Sequence, residues 1–191
     1  MIASLAASVS AIQATFTVLK KVEFRGETSL LVDRPQIQSI CQLCHDQLGF
    51  DVLLDISAVD HFGDEPRFEV VYELYQLSTG THLRLKIRVS EDDLSVPSVV
   101  SVWPTADWHE RETFDMFGII FSNHPDLRRI LMWEGYPFFP LRKDFPLAGR
   151  PSDLPDVAFS HAAPLTGGPF VSVPSSATTQ DREPRSREPQ R

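Results

Sequence analysis

The chain has 191 residues, 42% of them apolar, with 15 prolines and a net charge of -8. That length suits one domain with a real core plus some extra chain, and an acidic balance repels phosphate backbones, which excludes nucleic acid as a partner. No apolar run reaches the ~20 residues of a membrane-spanning helix, and residues 1–15 lack the Lys or Arg of a secretory or mitochondrial leader, so a protein kept in a reducing bacterial cytoplasm is expected.

Residues 1–15 are an N-terminal segment and a helix candidate. Residues 16–121 read as an α+β domain. Strands are predicted over 16–24 and 28–33, separated at Gly26. A helix follows over 35–48, opened by Pro35 and closed by Gly49. Its residues Ile37, Ile40, Cys41, Cys44 and Leu48 fall on one face at helical spacing. A strand over 51–59 comes next. Then Phe68, Val70, Tyr72 and Leu74 alternate with polar residues, as do Leu83, Leu85, Ile87 and Val89, which is the period of a hairpin. With Thr79-Gly80 as the turn, Leu74 would face Leu85, Tyr72 would face Ile87 and Glu73 would face Lys86. The order predicts a single domain with a mostly antiparallel sheet and helices on one face.

A second helix is predicted over 105–117, stopped by Gly118. Asp107, Arg111 and Asp115 stand four apart on it, which suggests a ladder. One reading is a surface row contributing about 0.3–0.5 kcal/mol per pair. The other is that Arg111 anchors the junction with the next segment, or meets a partner. Residues 122–150 form an irregular strap, because Pro125, Pro137, Pro140 and Pro146 forbid long elements. The strap is apolar, yet it carries Arg128, Arg129, Arg142, Lys143 and Arg150 against Asp126, Glu134 and Asp144, whereas residues 1–121 hold 9 basic and 18 acidic side chains. Residues 151–191 form an extended polar tail, expected to be disordered in the free protein.

Cys41-Gln-Leu-Cys44-His45 matches the attachment sequence of c-type haem. Against a haem electron carrier, the cysteines complete the apolar stripe of a helix and read as small buried residues. Two cysteines and scattered histidines do not make a zinc or iron–sulfur site. Asp51, Asp55 and Asp60 are read as solvated acids. No nucleophile elbow, phosphate-binding loop or zincin motif is present.

The unusual stretch is 108–147, where charges are interleaved with Trp, Phe and Pro. That mixture suits a polar interface. Glu110-Arg111-Glu112, Asp115, Met116-Phe117, His124, Arg128, Ile130 and Leu131 stand in an order that resembles the signature of the 30-kDa (C-type) subunit family of respiratory complex I. Pro140-Leu141-Arg142-Lys143-Asp144-Phe145-Pro146 also looks like the family's. The resemblance spans roughly 15–150. One departure is Phe138-Phe139, where members usually carry Gly-His, and an apolar partner surface opposite would suit it.

The resemblance implies a non-catalytic scaffold subunit of the peripheral arm of a proton-translocating NADH:quinone oxidoreductase. It would buttress the 49-kDa-type (D-type) quinone-site subunit beside the iron–sulfur subunits, on the cytoplasmic side of the inner membrane or the matrix side in an organelle. Membrane association would be indirect. No cofactor, metal or catalytic residue is implied on this chain; FMN, iron–sulfur clusters, NADH and quinone would sit on other subunits. The partner-contact or signature residues are Glu110, Arg111, Glu112, Asp115, His124, Arg128, Arg129, Arg142, Lys143 and Asp144. A related membrane-bound hydrogenase or ferredoxin-dependent complex shares the signature, and the complete Pro-Leu-Arg-Lys-Asp-Phe-Pro-Leu run leans toward the NADH enzyme.

Overall fold

The structure is a computed structural model that describes residues 4–133 and 135–146. Residues 147–191, which include the end of the strap and the whole polar tail, lie outside the described residues, as do residues 1–3 and Glu134. The elements run α1 (Leu5–Thr15), β1 (Val18–Phe24), β2 (Glu27–Val32), α2 (Ile37–Asp46), β3 (Val52–Asp60), β4 (Phe68–Gln76), β5 (Thr81–Val89), β6 (Ser95–Pro97), α3 (Ala106–Phe117) and β7 (Ile120–Ser122). A single 3-10 turn, Arg34–Gln36, with Pro35 inside it, leads into α2.

Five strands form one sheet in the order β1-β2-β5-β4-β3. All neighbours in it are antiparallel except β2 and β5, which run parallel through Ser29↔Arg84, Leu30↔Leu85 and Leu31↔Lys86. Arg25 and Gly26 turn the first hairpin with φ of 52° and 82°, the paired left-handed conformation that matches the twist of two adjacent strands. The expected stripe of α2 faces inward: Ile37, Ile40, Cys41 and Cys44 are fully buried. They join Tyr72, Leu74, Leu83, Leu85 and Ile87 of the sheet and Val9 and Ile12 of α1 in one core. The fold is therefore the α+β domain that the periodicity predicts, with a mostly antiparallel sheet. The short parallel pair β6–β7 has no counterpart in the periodicity.

The β4–β5 register differs from expectation by two residues. Leu74 faces Leu83, Tyr72 faces Leu85 and Glu73 faces Arg84. The ladder extends to Gln76↔Thr81, so the loop is four residues long, closed by the Gly80 amide on the Gln76 carbonyl at 2.9 Å. Gln76 is the cause. Its side chain is buried, donates to the Leu48 carbonyl at 3.1 Å and accepts from the Thr79 hydroxyl. A shift of two keeps every side chain on its predicted face, so the core is the same in either register. The outer face carries the ion pairs Arg84–Glu73 at 2.7 Å and Lys86–Glu69 at 2.8 Å.

Helix α3 packs on β3, where the Thr113 hydroxyl donates to the Ile56 carbonyl at 3.1 Å. Gly118 ends the helix with φ 79°, and its amide bonds the Phe114 carbonyl at 2.8 Å, a left-handed cap that glycine adopts without penalty.

Candidate functional site

The signature residues cluster where the strap lies along α3 and then crosses to one end of the sheet. The fastenings follow chain order. At the start of α3 the His124 side chain is fully buried. Its Nδ1 accepts from the Asp126 amide at 3.0 Å, so Nε2 carries the proton and donates to the Asp107 carbonyl at 3.2 Å. One turn further on, Arg111 donates to the carbonyls of Arg128 and Arg129 at 3.2 and 3.4 Å. Its guanidinium also stacks 5.1 Å above the Trp108 ring.

Near the helix end Asp115 is wholly buried. Its Oδ2 accepts the backbone amides of Ile130, Leu131 and Met132 at 3.0, 2.7 and 2.8 Å, and its Oδ1 pairs with Arg129. Burial alone would raise the Asp115 pKa; the three amides and the guanidinium outweigh it and hold the carboxyl below its usual range. The predicted ladder of Asp107, Arg111 and Asp115 therefore does not exist. Arg111 and Asp115 turn instead to backbone groups of the strap that need partners, and the Asp107 carboxylate stands 3.3 Å from the His124 ring.

The strap then returns past the end of α3. The Leu141 amide donates to the Met116 carbonyl at 3.2 Å, and Arg142 Nε donates to the Phe117 carbonyl at 2.7 Å. Its residues Lys143 and Asp144 meet a buried ion pair at the mouth of β3 and β4. Arg67, 4% exposed, forks onto both oxygens of Asp60 at 2.9 and 2.7 Å. It also reaches Glu91 at 2.9 Å and Asp144 at 2.7 Å, while the Lys143 amide donates to Asp60 at 2.7 Å. The Arg67 bonds hold the Asp60 and Asp144 carboxyls below the usual carboxylate range. Asp60, expected to be a solvated acid, is thus the centre of a buried cluster. Arg67 and Glu91 carry no signal in the sequence, because nothing local announces a pair closed across distant strand ends.

Glu110 faces the opposite way, into the core, at 0% exposure. Its Oε1 accepts the Val99 amide at 2.7 Å. Burial pushes its pKa up to about 7 against the opposing pull of the Val99 amide and Ser98 hydroxyl. Glu112 is exposed, and Arg128 pairs with Asp126 at 2.7 Å while 69% exposed. The charges assigned to a contact between proteins are thus in good part satisfied within the chain: Asp115, Arg129, Arg142 and Asp144 all have partners here. Phe139 is likewise taken up internally, with its ring between Arg129 at 5.0 Å and Arg142 at 4.7 Å. The apolar partner surface that the Phe138-Phe139 departure suggested is not required.

The helix and its fastened strap show Trp108 and Leu131 outward, 60% and 61% exposed. An open cavity of about 240 Å³ on the same helix and strap is lined by Phe114, Leu127, Arg128, Arg129 and Gly135. The haem reading fails on geometry. Cys41 and Cys44 point into the core at 0% exposure, and burial raises both thiol pKa values, Cys44 to about 12. His45 is turned out toward Asp46 and Trp103. A porphyrin bonded to both sulfurs has no room among Tyr72 and the leucines around them. Among the described residues no three His, Cys, Asp or Glu side chains converge in a metal-holding arrangement.

Residues 30–151 match the family described as respiratory-chain NADH dehydrogenase, 30 Kd subunit. The chain is 44% identical over 133 residues to the C-type subunit of NADH-quinone oxidoreductase from Geotalea uraniireducens, covering 70% of this chain and 81% of that protein. It is 52% identical over 131 residues to the C 2 subunit of the same enzyme from Rhizobium meliloti, covering 68% and 71%. Among solved structures it resembles a trypsin-resistant fragment (1-134) of Nqo5, with a TM-score of 0.56, 29% identity and coverage of 64% of this chain and 98% of that one. It also resembles a chain of an archaeal respiratory membrane complex, the membrane-bound sulfane sulfur reductase. There the TM-score is 0.64 at 26% identity, with coverage of 73% and 84%.

Proposed function

The chain belongs to the 30 Kd subunit family of the respiratory-chain NADH dehydrogenase, and from that premise we propose that it is a non-catalytic scaffold subunit of the peripheral arm of an NADH:quinone oxidoreductase. It buttresses the large 49-kDa-type subunit beside the quinone site and neighbouring iron–sulfur subunits, carries no cofactor of its own, and meets the membrane only through the complex. One observation supports this above the others: the signature residues are used to fasten a strap to a helix. Asp115 and Arg111 engage backbone groups of the strap, and His124 of the strap engages the Asp107 carbonyl of the helix, whereas a catalytic pair would aim at a space that a substrate can enter. Outward, the same helix shows Trp108, an aromatic side chain of the kind that anchors interfaces, and the strap shows Leu131. No helix among the described residues is long and apolar enough to cross a membrane. The likeness to the archaeal sulfane sulfur reductase chain favours, as a second reading, the same role in a sister assembly with another electron donor.

The test is assembly. A tagged chain recovered from gently solubilised membranes should bring the large subunit and iron–sulfur subunits with it. Arg111→Met should lower the amount of assembled enzyme several-fold and leave NADH:quinone turnover per assembled enzyme near normal. Full assembly with lost turnover would refute the scaffold role.

A further inference from the structure

We infer that the strap is closed on its own domain before any partner arrives, and that Arg67 is the pin of that closure. Two sets of fastenings hold it, meeting at Arg129, which pairs with Asp115 and also faces the Phe139 ring. The first runs along α3 and secures residues 124–132 through His124, Arg111 and Asp115. The second secures the return segment, residues 139–145, at the other end of the sheet, and it is built as a column of alternating rings and guanidinium groups. Arg67 lies 4.9 Å from the Phe62 ring and 4.8 Å from Phe68. Arg142 lies 5.1 Å from Phe68 and 4.7 Å from Phe139. Arg129 lies 5.0 Å from Phe139 and 5.7 Å from Tyr136. Three arginines thus interleave with four aromatic rings, in the face-on arrangement that draws a cation to a ring.

The column has a fixed half and an arriving half. Phe62, Arg67 and Phe68 belong to the sheet and its loop, and Arg129, Tyr136, Phe139 and Arg142 to the strap. The Asp60–Arg67 pair is internal to the domain and stays whole when the strap lifts away. It then presents a guanidinium ready for Asp144 and a carboxylate ready for the Lys143 amide. The domain thereby carries a formed receptor for residues 142–144. Closing the strap also gives the Arg142 Nε its acceptor on Phe117 and the Leu141 amide its acceptor on Met116. It lays the Phe139 ring over Gly118, where a methyl group would stand only 2.8 Å from the ring. An irregular, proline-rich segment that finds this many partners inside its own chain does not wait for a second protein to order it. This goes beyond the scaffold role: the partner meets a rigid surface, and the ordering entropy that weakens fold-on-binding contacts is absent from the encounter.

The experiment is amide hydrogen exchange on the full chain alone, read by peptide. In the wild type, residues 141–145 should exchange at least about 100-fold more slowly than open coil. Arg67→Ala should return them to within a few-fold of coil rates while residues 130–132 stay protected. Coil-like exchange of 141–145 in the wild type overturns the inference. So does protection there that Arg67→Ala leaves unchanged in a folded sheet. Should Arg67→Ala fail to fold, Phe139→Ala, on the strap side of the column, is read by the same two outcomes. Because the partner is absent from the assay, failure here leaves the assembly reading untouched.

Discussion

Replacing Asp115 with Asn should be among the most damaging conservative changes in the chain. The carboxylate is fully buried and satisfies three consecutive strap amides through one oxygen and Arg129 through the other. Asn keeps one acceptor for the amides, but its NH2 then faces the Arg129 guanidinium, donor against donor, and leaves a buried cation without its counter-charge. Breaking one side of a buried pair costs roughly 3–5 kcal/mol. Arg129 retains the Asp115 and Phe138 carbonyls, which places the expected loss near the bottom of that range, about 3 kcal/mol. For a domain of this size that lowers Tm by about 6–12 °C. The loss should also depend on pH with a definite sign. The folded-state pKa of Asp115 is lowered, so its contribution is complete above the unfolded carboxyl pKa and is lost as pH falls through the folded value. Wild type and variant should therefore differ most at neutral pH and converge in acid. Urea unfolding from pH 7 downward measures both. A variant within about 0.5 kcal/mol of wild type at pH 7 would refute the claim that this carboxylate organises the strap, because surface changes lie in that range.

Glu110 should show the reverse sign. Its folded pKa is raised from 4.5 to about 7, so its contribution is complete below the unfolded value and is lost as pH rises through the folded one. Stability should fall by about 3 kcal/mol across that window, and Glu110→Gln should flatten the profile; an unchanged slope in the variant would show that another group titrates. Gly118→Ala should cost about 2–4 kcal/mol in denaturant unfolding. The new methyl would meet Phe139 and Arg142 at 2.8 Å on a backbone with φ 79°. A neutral result would show that the strap yields easily over the helix end.

The sequence carried what depends on short spacing. Helix α3 begins and ends within a residue of its predicted span because Pro104 and Gly118 punctuate it. The α2 stripe is inward because helical spacing leaves Ile37, Ile40 and Cys44 no other face. The expectations that failed needed information from far along the chain. Thr79-Gly80 looks like a two-residue loop, and only the Leu48 carbonyl explains why Gln76 stays in the β4–β5 ladder. Asp60 and Arg67 lie seven apart but close an ion cluster with Glu91 and Asp144, from the end of β5 and the strap. The signature charges look like surface for another protein because density of charge and ring is common to both situations. Which side of the strap they face is settled by the backbone amides of 130–132, and a sequence does not show where those amides point.

The parallel join of β2 to β5 has a kinetic consequence. β1 with β2, and β3 with β4 and β5, are two units built from neighbours in the chain, and each forms by closing short loops. Joining them pairs Ser29 with Arg84 and Leu31 with Lys86, about 55 residues apart. The long loop must close there, with only three residue pairs to reward it. That seam is therefore expected to be the slow step of folding, which stopped-flow refolding of a variant weakened at Leu30 or Leu85 would check by a slower folding rate. The strap need not wait for it, since the Phe68 ring on which Arg142 lies belongs to the β3–β4–β5 unit, which is complete before that join.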